Sequence, residues 1–244
     1  MRRWFVFVLA IIVLIPGLAW AARPLDTEDP GTVAPGKVEV QGSVDYIKGD
    51  DGKLVGARGV LGTGLLPNLD IRVQSGLLWV DPLDEPSRGG LGDTLFGFKH
   101  RLLDETDTFP AVMYAFTLRF PTGSEARGLG DRGVDAALFA VVGKTFGPVT
   151  LNWNGGYAFI SRDRDLDFVL LSTSFEYRVT EAWSLVGEVV SALGVNQAPD
   201  VAILRGGMTY TLTPRIRLDG AVAGGVTRES PDLLVTIGTT ITLF

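Results

Sequence analysis

Cysteine is absent from this 244-residue chain, and histidine occurs once. Without cysteine there can be no disulfide framework, thiolate metal site or cysteine nucleophile, and a single histidine argues against a histidine-rich metal centre. Basic residues are also scarce, because 22 Lys and Arg stand against 28 Asp and Glu, a formal net charge of −6. A nucleic-acid partner requires a basic face that neutralises phosphates. We therefore expect no cofactor, no metal and no nucleic acid.

The N-terminus has the pattern of a secretory signal peptide. Arg2 and Arg3 precede a 12-residue apolar run from Trp4 to Ile15, which is followed by Pro16-Gly17 and the small-x-small sequence Ala19-Trp20-Ala21. The alternative is a membrane anchor, but a spanning helix needs ~20 apolar residues. We expect cleavage after Ala21. Because residues 1–21 contain two arginines, the exported chain keeps 20 basic and 28 acidic groups, a formal charge of −8.

Beyond an irregular segment, residues 22–36, the chain alternates apolar and polar residues with period two. Residues 37–48, for example, place valines and a tyrosine on one parity and mostly acidic, amide or hydroxyl side chains on the other. This alternation is typical of β-strands with one apolar face. It predicts strands at 37–48, 53–66, 69–80, 92–103, 110–120, 133–145, 149–160, 166–178, 183–193, 200–212, 215–227 and 232–244.

The connections between these strands differ in length at the two ends. Connections such as 67–68 and 213–214 are tight, whereas 81–91 and 121–132 are longer. An even number of strands of ~10 residues with this asymmetry is typical of an outer-membrane β-barrel. We predict an all-β fold, a transmembrane antiparallel up-and-down barrel of about 12 strands over residues 37–244. Residues 22–36 form a periplasmic segment that either plugs the barrel mouth or is disordered.

A soluble β-sandwich or lipocalin-like barrel is the alternative, since such folds also alternate. Aromatic residues favour the membrane barrel. Trp79, Phe120, Tyr177 and Trp183 lie near strand ends on the apolar parity. Aromatic side chains at these positions are typical of the interfacial girdles of membrane barrels.

The polar parity of the strands carries the candidate functional residues, because in a membrane barrel it faces the lumen. The predicted lumen-lining residues are Glu39, Arg58, Asp70, Arg72, Asp93, Lys99, Arg101, Arg119, Asn152, Asn154, Glu176, Glu188, Arg205, Arg217 and Asp219. Both signs occur in similar number, so we expect a network of ion pairs, including Asp93 with Lys99 across the lumen. Twelve strands lie between filled eight-strand barrels and wide porins, which predicts a narrow channel.

Two other kinds of site have weaker support. The lone His100 is followed by Arg101 and Leu102, so the His-x-Ser spacing of barrel lipases is missing, and we predict a wall residue near the membrane interface and no catalytic residue. Asp163-Arg164-Asp165 and Asp50-Asp51 are charged runs in outer loops. Each either binds a cation such as calcium or forms a solvated turn, and turns are the commoner explanation.

The C-terminal residue departs from the pattern of its strand. Phe244 shares the parity of Thr240 and Thr242, whereas Ile241 and Leu243 share the apolar parity. Many outer-membrane strands end in a phenylalanine on the lipid-facing parity. The sequence leaves two explanations, a β-bulge near the end of the strand or an atypical assembly signal.

Several short motifs resemble those of the outer-membrane transporter family labelled "MetA-pathway of phenol degradation". They are Gly90-Leu91-Gly92-Asp93, Phe98-Lys99, Arg119-Phe120-Pro121-Thr122-Gly123, Gly128-Leu129-Gly130 and Asn152-Trp153-Asn154-Gly155-Gly156-Tyr157. The resemblance spans most of the mature chain and implies a porin-like barrel through which small, often aromatic or apolar compounds cross the outer membrane. Its partners would be outer-membrane lipid, the solute and the outer-membrane assembly machinery. A sealed structural barrel and a lipid-modifying enzyme are the alternatives.

Overall fold

The computed structural model describes residues 23–244, so the predicted signal peptide lies outside the described residues. The strands are β1 Val38–Gly49, β2 Gly52–Leu66, β3 Leu69–Pro82, β4 Arg88–Leu91, β5 Thr94–Leu103, β6 Ala111–Phe120, β7 Asp135–Phe146, β8 Val149–Phe159, β9 Phe168–Arg178, β10 Trp183–Gly194, β11 Val201–Thr213, β12 Ile216–Gly225 and β13 Leu233–Leu243. Apart from β4 and β5, strands that follow one another in the chain pair antiparallel, and β1 also pairs with β13. The sheet therefore closes into a barrel.

The barrel wall has twelve strands, because β4 and β5 both pair with β3 and together form one interrupted strand. This confirms the predicted fold class. The strand predicted at 92–103 begins earlier, at Arg88, and is interrupted at Gly92 and Asp93. There the Gly92 N–H donates to the carbonyl of Gly76 at 2.9 Å, while the Asp93 side chain binds loop backbone. The loop contacts explain the break in the ladder.

The two ends of the barrel carry different connections. At what we call the short-turn end lie residues 67–68, 104–110, 147–148, 179–182 and 214–215, together with the start of β1 and the end of β13. At the long-loop end lie residues 50–51, 83–87, 121–134, 160–167, 195–200 and 226–232. Short 3₁₀ turns, Glu125–Arg127 and Arg164–Leu166, occur in two of the long loops. Among the described residues no helix is long and apolar enough to cross a membrane.

The outer face of the barrel is an apolar belt. Its members are exposed and mid-strand, and they include Val44, Leu61, Val73, Leu138, Leu171, Val189, Leu204, Val222 and Ile237. Soluble monomers rarely expose an apolar surface of this extent, whereas lipid-facing strands do. Ring pairs lie towards both ends, with centroid distances of 4.6 Å for Trp183–Tyr210 and 4.6 Å for Tyr157–Phe159. Their positions match interfacial aromatic girdles.

The interior divides into two halves. The half near the long loops is filled by buried apolar side chains, among them Ile47, Leu54, Leu78, Val80, Leu95, Phe139, Phe168, Leu170, Val190, Val201, Ile203 and Leu234. The half near the short turns carries polar and charged side chains, such as Asp70, Lys99 and Glu188. The inward-facing residues of a single strand change character along its length. In β1 they pass from Glu39 at the short-turn end to Ile47 at the long-loop end.

A charged cluster at the long-loop end fixes two loops over the barrel. Arg119 of β6 is 1% exposed in its side chain and pairs with the carboxylates of both Asp93 and Asp135. Asp93 also accepts hydrogen bonds from the Gly123 N–H at 2.9 Å and the Asp131 N–H at 3.0 Å. A Cβ on Gly123 would lie 2.4 Å from the carbonyl oxygen of Leu129, so glycine is required where the loop passes.

The second carboxylate of this cluster binds the neighbouring loop. Asp135 accepts from the Ser161 N–H at 2.8 Å. Residues 121–134 and 160–167 are thus joined to the wall through one buried arginine. The predicted pairing of Asp93 with Lys99 is wrong. The two residues share a facing direction, but six positions along a strand separate them by about 20 Å, and Lys99 pairs elsewhere.

The C-terminal strand contains no bulge where it pairs with β1. Its register with β1 is continuous from Leu233 opposite Lys48 to Leu243 opposite Val38. Phe244 lies beyond the end of β13, at a φ of 47°, and is 72% exposed. The bulge explanation for its parity is therefore wrong.

The apolar belt predicts that a charged side chain in the middle of the outer face destabilises the folded barrel. Ile237→Arg places a guanidinium where the native side chain is 67% exposed. In phospholipid bilayers we expect the free energy of unfolding to fall by about 2–4 kcal/mol, measured by guanidinium titration, because a charge at the bilayer midplane is poorly solvated. Val226→Arg is the control, since Val226 is 66% exposed but lies in a loop. Equal, small effects of both variants would contradict a lipid-facing belt.

The Arg119 cluster predicts which charge holds the long loops. Arg119→Gln leaves the buried carboxylates of Asp93 and Asp135 without their cation, a change that typically costs about 3–5 kcal/mol. We expect limited proteolysis of the folded protein to cut within residues 121–134 many times faster than in the wild type. Arg132→Gln is the control, because Arg132 forms an exposed pair with Glu125 in the same loop. Cleavage at the wild-type rate in Arg119→Gln would show that the loops are held by other contacts.

Candidate functional site

Residues 23–36, here called the N-terminal segment, lie inside the short-turn half of the lumen. The segment leads directly into β1, and residues 24–28 are buried. Three prolines and two glycines within it disfavour a place in the sheet, because proline has no N–H to donate to a ladder. Apart from an isolated bridge between Pro35 and Gly64, its backbone does not pair with the wall strands. Its buried N–H groups therefore need side-chain acceptors.

Glu188 of β10 is the acceptor for two of those N–H groups. Its two carboxylate oxygens accept from the Asp26 N–H at 2.9 and 3.0 Å, and one of them accepts from the Thr27 N–H and hydroxyl at 2.7 Å each. Arg205 of β11 donates to the Asp26 carboxylate at 2.5 Å and to the Pro24 carbonyl at 2.7 Å. It also lies 3.3 Å from Glu188. Buried charges are tolerated when they are paired and hydrogen-bonded in this way.

Glu28 is held at the opposite side of the lumen. Its carboxylate lies 2.7 Å from the ammonium nitrogen of Lys99, and both side chains are at most 1% exposed. Asn154 binds the backbone of the same residue on both sides, since its Oδ1 accepts from the Glu28 N–H at 2.6 Å and its Nδ2 donates to the Glu28 carbonyl at 3.0 Å. The amide of Asn154 therefore fixes the segment's height in the barrel.

Further contacts hold the two ends of the segment. At its start, Arg23 donates to Asp219 at 2.8 Å and to the Thr236 hydroxyl at 3.0 Å. Near its end, the Val33 N–H donates to Asp70 at 2.8 Å. The structure therefore brings together six of the predicted lumen residues around one chain segment: Asp70, Lys99, Asn154, Glu188, Arg205 and Asp219.

The other predicted lumen residues lie at different heights of the barrel. Arg58 pairs with Asp45 at 2.8 Å, and Arg72 pairs with Asp70 at 3.2 Å and Glu39 at 3.5 Å. Asp93 and Arg119 lie at the long-loop end, as described above. The remaining four predicted residues lie at the short-turn end. Arg101 pairs there with Asp104 at 2.7 Å, and Asn152, Glu176 and Arg217 line cavities.

Sequence reasoning missed five charged residues of these networks: Arg23, Asp26, Glu28, Asp45 and Asp135. Asp45 shares the inward parity of Glu39, so the alternation in this strand already indicated that Asp45 faces the lumen. For the N-terminal segment the only signal is a dense run of charged residues directly after the predicted cleavage site. That run has no periodicity, so nothing in it indicates which wall residues it contacts.

Two cavities flank the N-terminal segment at the short-turn end. The first cavity has a volume of about 350 Å³ and is lined by Glu39, Gln41, Arg72, Arg217 and Thr240, among others. The second cavity has a volume of about 370 Å³, and its lining includes Arg23, Asn152, Glu176 and again Arg217. Asp29 of the segment borders both cavities. Volumes of this size are sufficient for a small organic molecule.

The histidine considered as a catalytic candidate lies in the wall near the short turns. Its Nδ1 is 3.1 Å from the Tyr114 hydroxyl, and its Nε2 is 3.2 Å from the Asn68 side-chain nitrogen. His100 shares its facing direction with Phe96 and Phe98, on the apolar parity of β5. Its ring contacts are therefore with neighbouring wall residues and not with a serine hydroxyl.

The acidic run in the loop at 160–167 forms a capped turn. Asp163 precedes the 3₁₀ turn and accepts from the Asp165 N–H at 3.1 Å. Asp165 in turn accepts from the Gln197 side chain at 2.8 Å, and Arg164 pairs with Asp167 at 2.6 Å. These carboxylates are used within the loop structure, in keeping with the turn explanation.

Solved structures with the same fold are outer-membrane barrels. An outer membrane channel from Pseudomonas putida F1 superimposes with a TM-score of 0.73 at 15% identity, over 90% of this chain and 100% of that one. The KdgM porin gives a TM-score of 0.60 at 7% identity, over 84% and 99%. The translocator domain of the autotransporter NalP from Neisseria meningitidis gives 0.59 at 10% identity, over 98% and 97%. At these identities the similarity shows the fold alone.

Sequence comparison gives a more specific result. A search of curated protein sequences finds no match. A family model described as "Putative MetA-pathway of phenol degradation" matches residues 21–243, which is nearly the whole chain. The match includes the wall strands, the N-terminal segment and the glycine-rich motifs at the long-loop end. The chain belongs to this family.

Proposed function

We propose that this protein is an outer-membrane channel for small compounds, among them aromatic or apolar ones, and that its N-terminal segment is a plug. The observation that carries the proposal is the segment itself, which fills the polar half of the lumen through side-chain contacts and one backbone bridge. A wall strand would be held by a continuous ladder. A segment held in this way can leave the lumen without unfolding the barrel.

The interior suits a solute that is at least partly apolar. Above the plug, towards the long loops, buried Leu, Val, Ile and Phe side chains pack the interior, and such a region favours apolar molecules over water. Below it, the predicted lumen-lining residues and the two cavities form a polar exit. With the short turns in the periplasm, a solute would pass from the loops to the exit. The names of two structural neighbours, an outer membrane channel and a porin, agree with this role.

Two alternatives compete with the channel. The filled lumen favours a sealed structural barrel, and conductance separates that role from transport. A lipid-modifying enzyme has less support, because His100 contacts Tyr114 and Asn68 on the wall. We therefore propose transport without catalysis, in the outer membrane of a Gram-negative-type bacterium, after export through a cleaved signal peptide.

Planar-bilayer recording tests the plug. Glu188→Ala removes the acceptor of four hydrogen bonds from the segment. We expect openings at least several times more frequent than in the wild type, together with block of the open current by phenol, because the segment leaves the lumen more readily. Deleting residues 22–36 should raise the opening frequency further, because only the apolar side chains of the long-loop half then close the lumen.

The control is Glu176→Ala, which removes an inward-facing glutamate that borders the second cavity. It should leave the opening frequency close to that of the wild type. Folding of each variant is checked by heat-modifiable migration on gels. Silence of the deletion variant in correctly folded form would refute the channel and support the sealed barrel.

The plug also carries a titratable group in an unusual setting. Burial raises the pKa of the Glu28 carboxyl to about 6, although Lys99 lies 2.7 Å away. In a released, solvated segment the same carboxyl has its ordinary pKa near 4.5. The docked state therefore binds more protons than the released state between these two values. Through Glu28, docking is therefore stronger at pH 5 than at neutral pH and weakens as the pH rises through about 6.

Cysteine labelling measures this dependence, because the chain has no natural cysteine. Leu25→Cys places a thiol at a buried site of the segment. The labelling rate of this thiol is divided by that of an exposed loop thiol, Val226→Cys, at the same pH. We expect the resulting ratio to be roughly fivefold to tenfold lower at pH 5.0 than at pH 7.5. Adding Glu28→Gln should abolish the difference. Faster labelling at the lower pH would contradict the assigned sign.

A further inference from the structure

Three inward-facing residues form a row across neighbouring strands at the short-turn end. Arg217 of β12 lies opposite Thr240 of β13, and Thr240 lies opposite Gln41 of β1. All three border the first cavity. Because the strands are directly paired, the guanidinium and the hydroxyl start from adjacent points of the wall and reach the same space.

Two polar groups of this row have no partner within the part of the chain that the structure describes. Thr240 is 8% exposed, and its hydroxyl makes no hydrogen bond. The Nε of Arg217 is also buried without an acceptor, and no carboxylate lies within ion-pair distance of the guanidinium. Arg72 and Arg205, by contrast, each pair with two carboxylates. Buried polar atoms are normally satisfied, so these two donors are available to a ligand in the first cavity.

The charged residues around each cavity indicate whether its ligand is an anion or a cation. The first cavity is bordered by four cationic side chains, Arg72, Lys99, Arg215 and Arg217, and by two acidic ones, Asp29 and Glu39. Arg72 and Lys99 are already paired with carboxylates, which leaves Arg215 and Arg217 against Asp29. Glu39 is already bound by Arg72 and by the Gln41 amide. In the second cavity the balance is reversed, with Arg23 and Arg217 against Asp29, Glu105 and Glu176. An anion is therefore favoured in the first cavity and disfavoured in the second.

We propose that the first cavity is a binding site for a small aromatic carboxylate, held by Arg217 and Thr240. A guanidinium offers two parallel N–H donors that match a carboxylate, and the threonine hydroxyl adds a third donor. Val33, Pro214 and Ile216 supply apolar lining for a ring, and about 350 Å³ accommodates a benzoate-sized molecule. The inference names a solute class for the channel and to that extent rests on the proposed function.

Isothermal titration of the refolded mature protein with benzoate tests the site. We expect Arg217→Gln to weaken benzoate binding by about tenfold or more, because it removes a charge-assisted contact. Thr240→Val should weaken it severalfold, and Arg217→Lys should restore only part of the affinity. The matched control is Arg178→Gln, which removes an exposed arginine at the same end but outside both cavities.

Two other ligands test whether the site prefers an aromatic carboxylate. Benzyl alcohol, which has the ring without the charge, should bind at least tenfold more weakly than benzoate, and so should inorganic phosphate, which has the charge without the ring. Phosphate binding as tight as benzoate binding would overturn the aromatic carboxylate. Equal benzoate affinity in Arg217→Gln and Arg178→Gln, both correctly folded, would overturn the site.

The binding result is separable from the channel result. Benzoate binding that depends on Arg217 supports the site even if the deletion of residues 22–36 yields no conductance, and that silence would refute only the channel. Conductance with Arg217-independent binding would refute the site and leave the channel standing.

Discussion

The buried ion pairs between the N-terminal segment and the wall determine what the rest of the lumen can be. Glu188 and Arg205 face inward from neighbouring strands, where either alone would be an unsolvated charge. Asp26 and Thr27 supply the missing partners. The segment, which lacks a ladder of its own, therefore requires the wall, whereas Glu188 and Arg205 keep each other as partners when the segment leaves. The docked segment leaves a polar cavity on either side of it and an apolar region beyond it.

Much of this architecture follows from alternation in the sequence. Twelve wall strands, their approximate ends and the inward direction of Lys99, Glu188 and Arg205 come from period-two parity, because a strand side chain has only two faces to choose from. Parity carries no information about height in the barrel. Asp93 and Lys99 share a face yet lie at different heights, Asp93 in the break before β5 and Lys99 near the middle of β5, so their predicted pairing was wrong.

The division of the interior into an apolar half and a polar half was harder to predict from the sequence, for a related reason. In β7, residues 135–146, both parities are largely apolar, so the pattern does not separate a lipid-facing side chain from one in the apolar half of the lumen. The contacts of residues 23–36 were inaccessible altogether. They join positions far apart in the chain, and an irregular segment offers no periodicity from which a register could be derived.

The sequence separation of these contacts has a consequence for folding. Arg23 and Asp219 are 196 positions apart, and the segment's other partners lie on β3, β5, β8, β10 and β11. Its binding surface therefore does not exist until those strands have paired, and contacts of such high order form late. The segment that precedes all the wall strands in the chain is thus the last part to reach its final place. A docked segment therefore indicates that the wall strands around it have already paired.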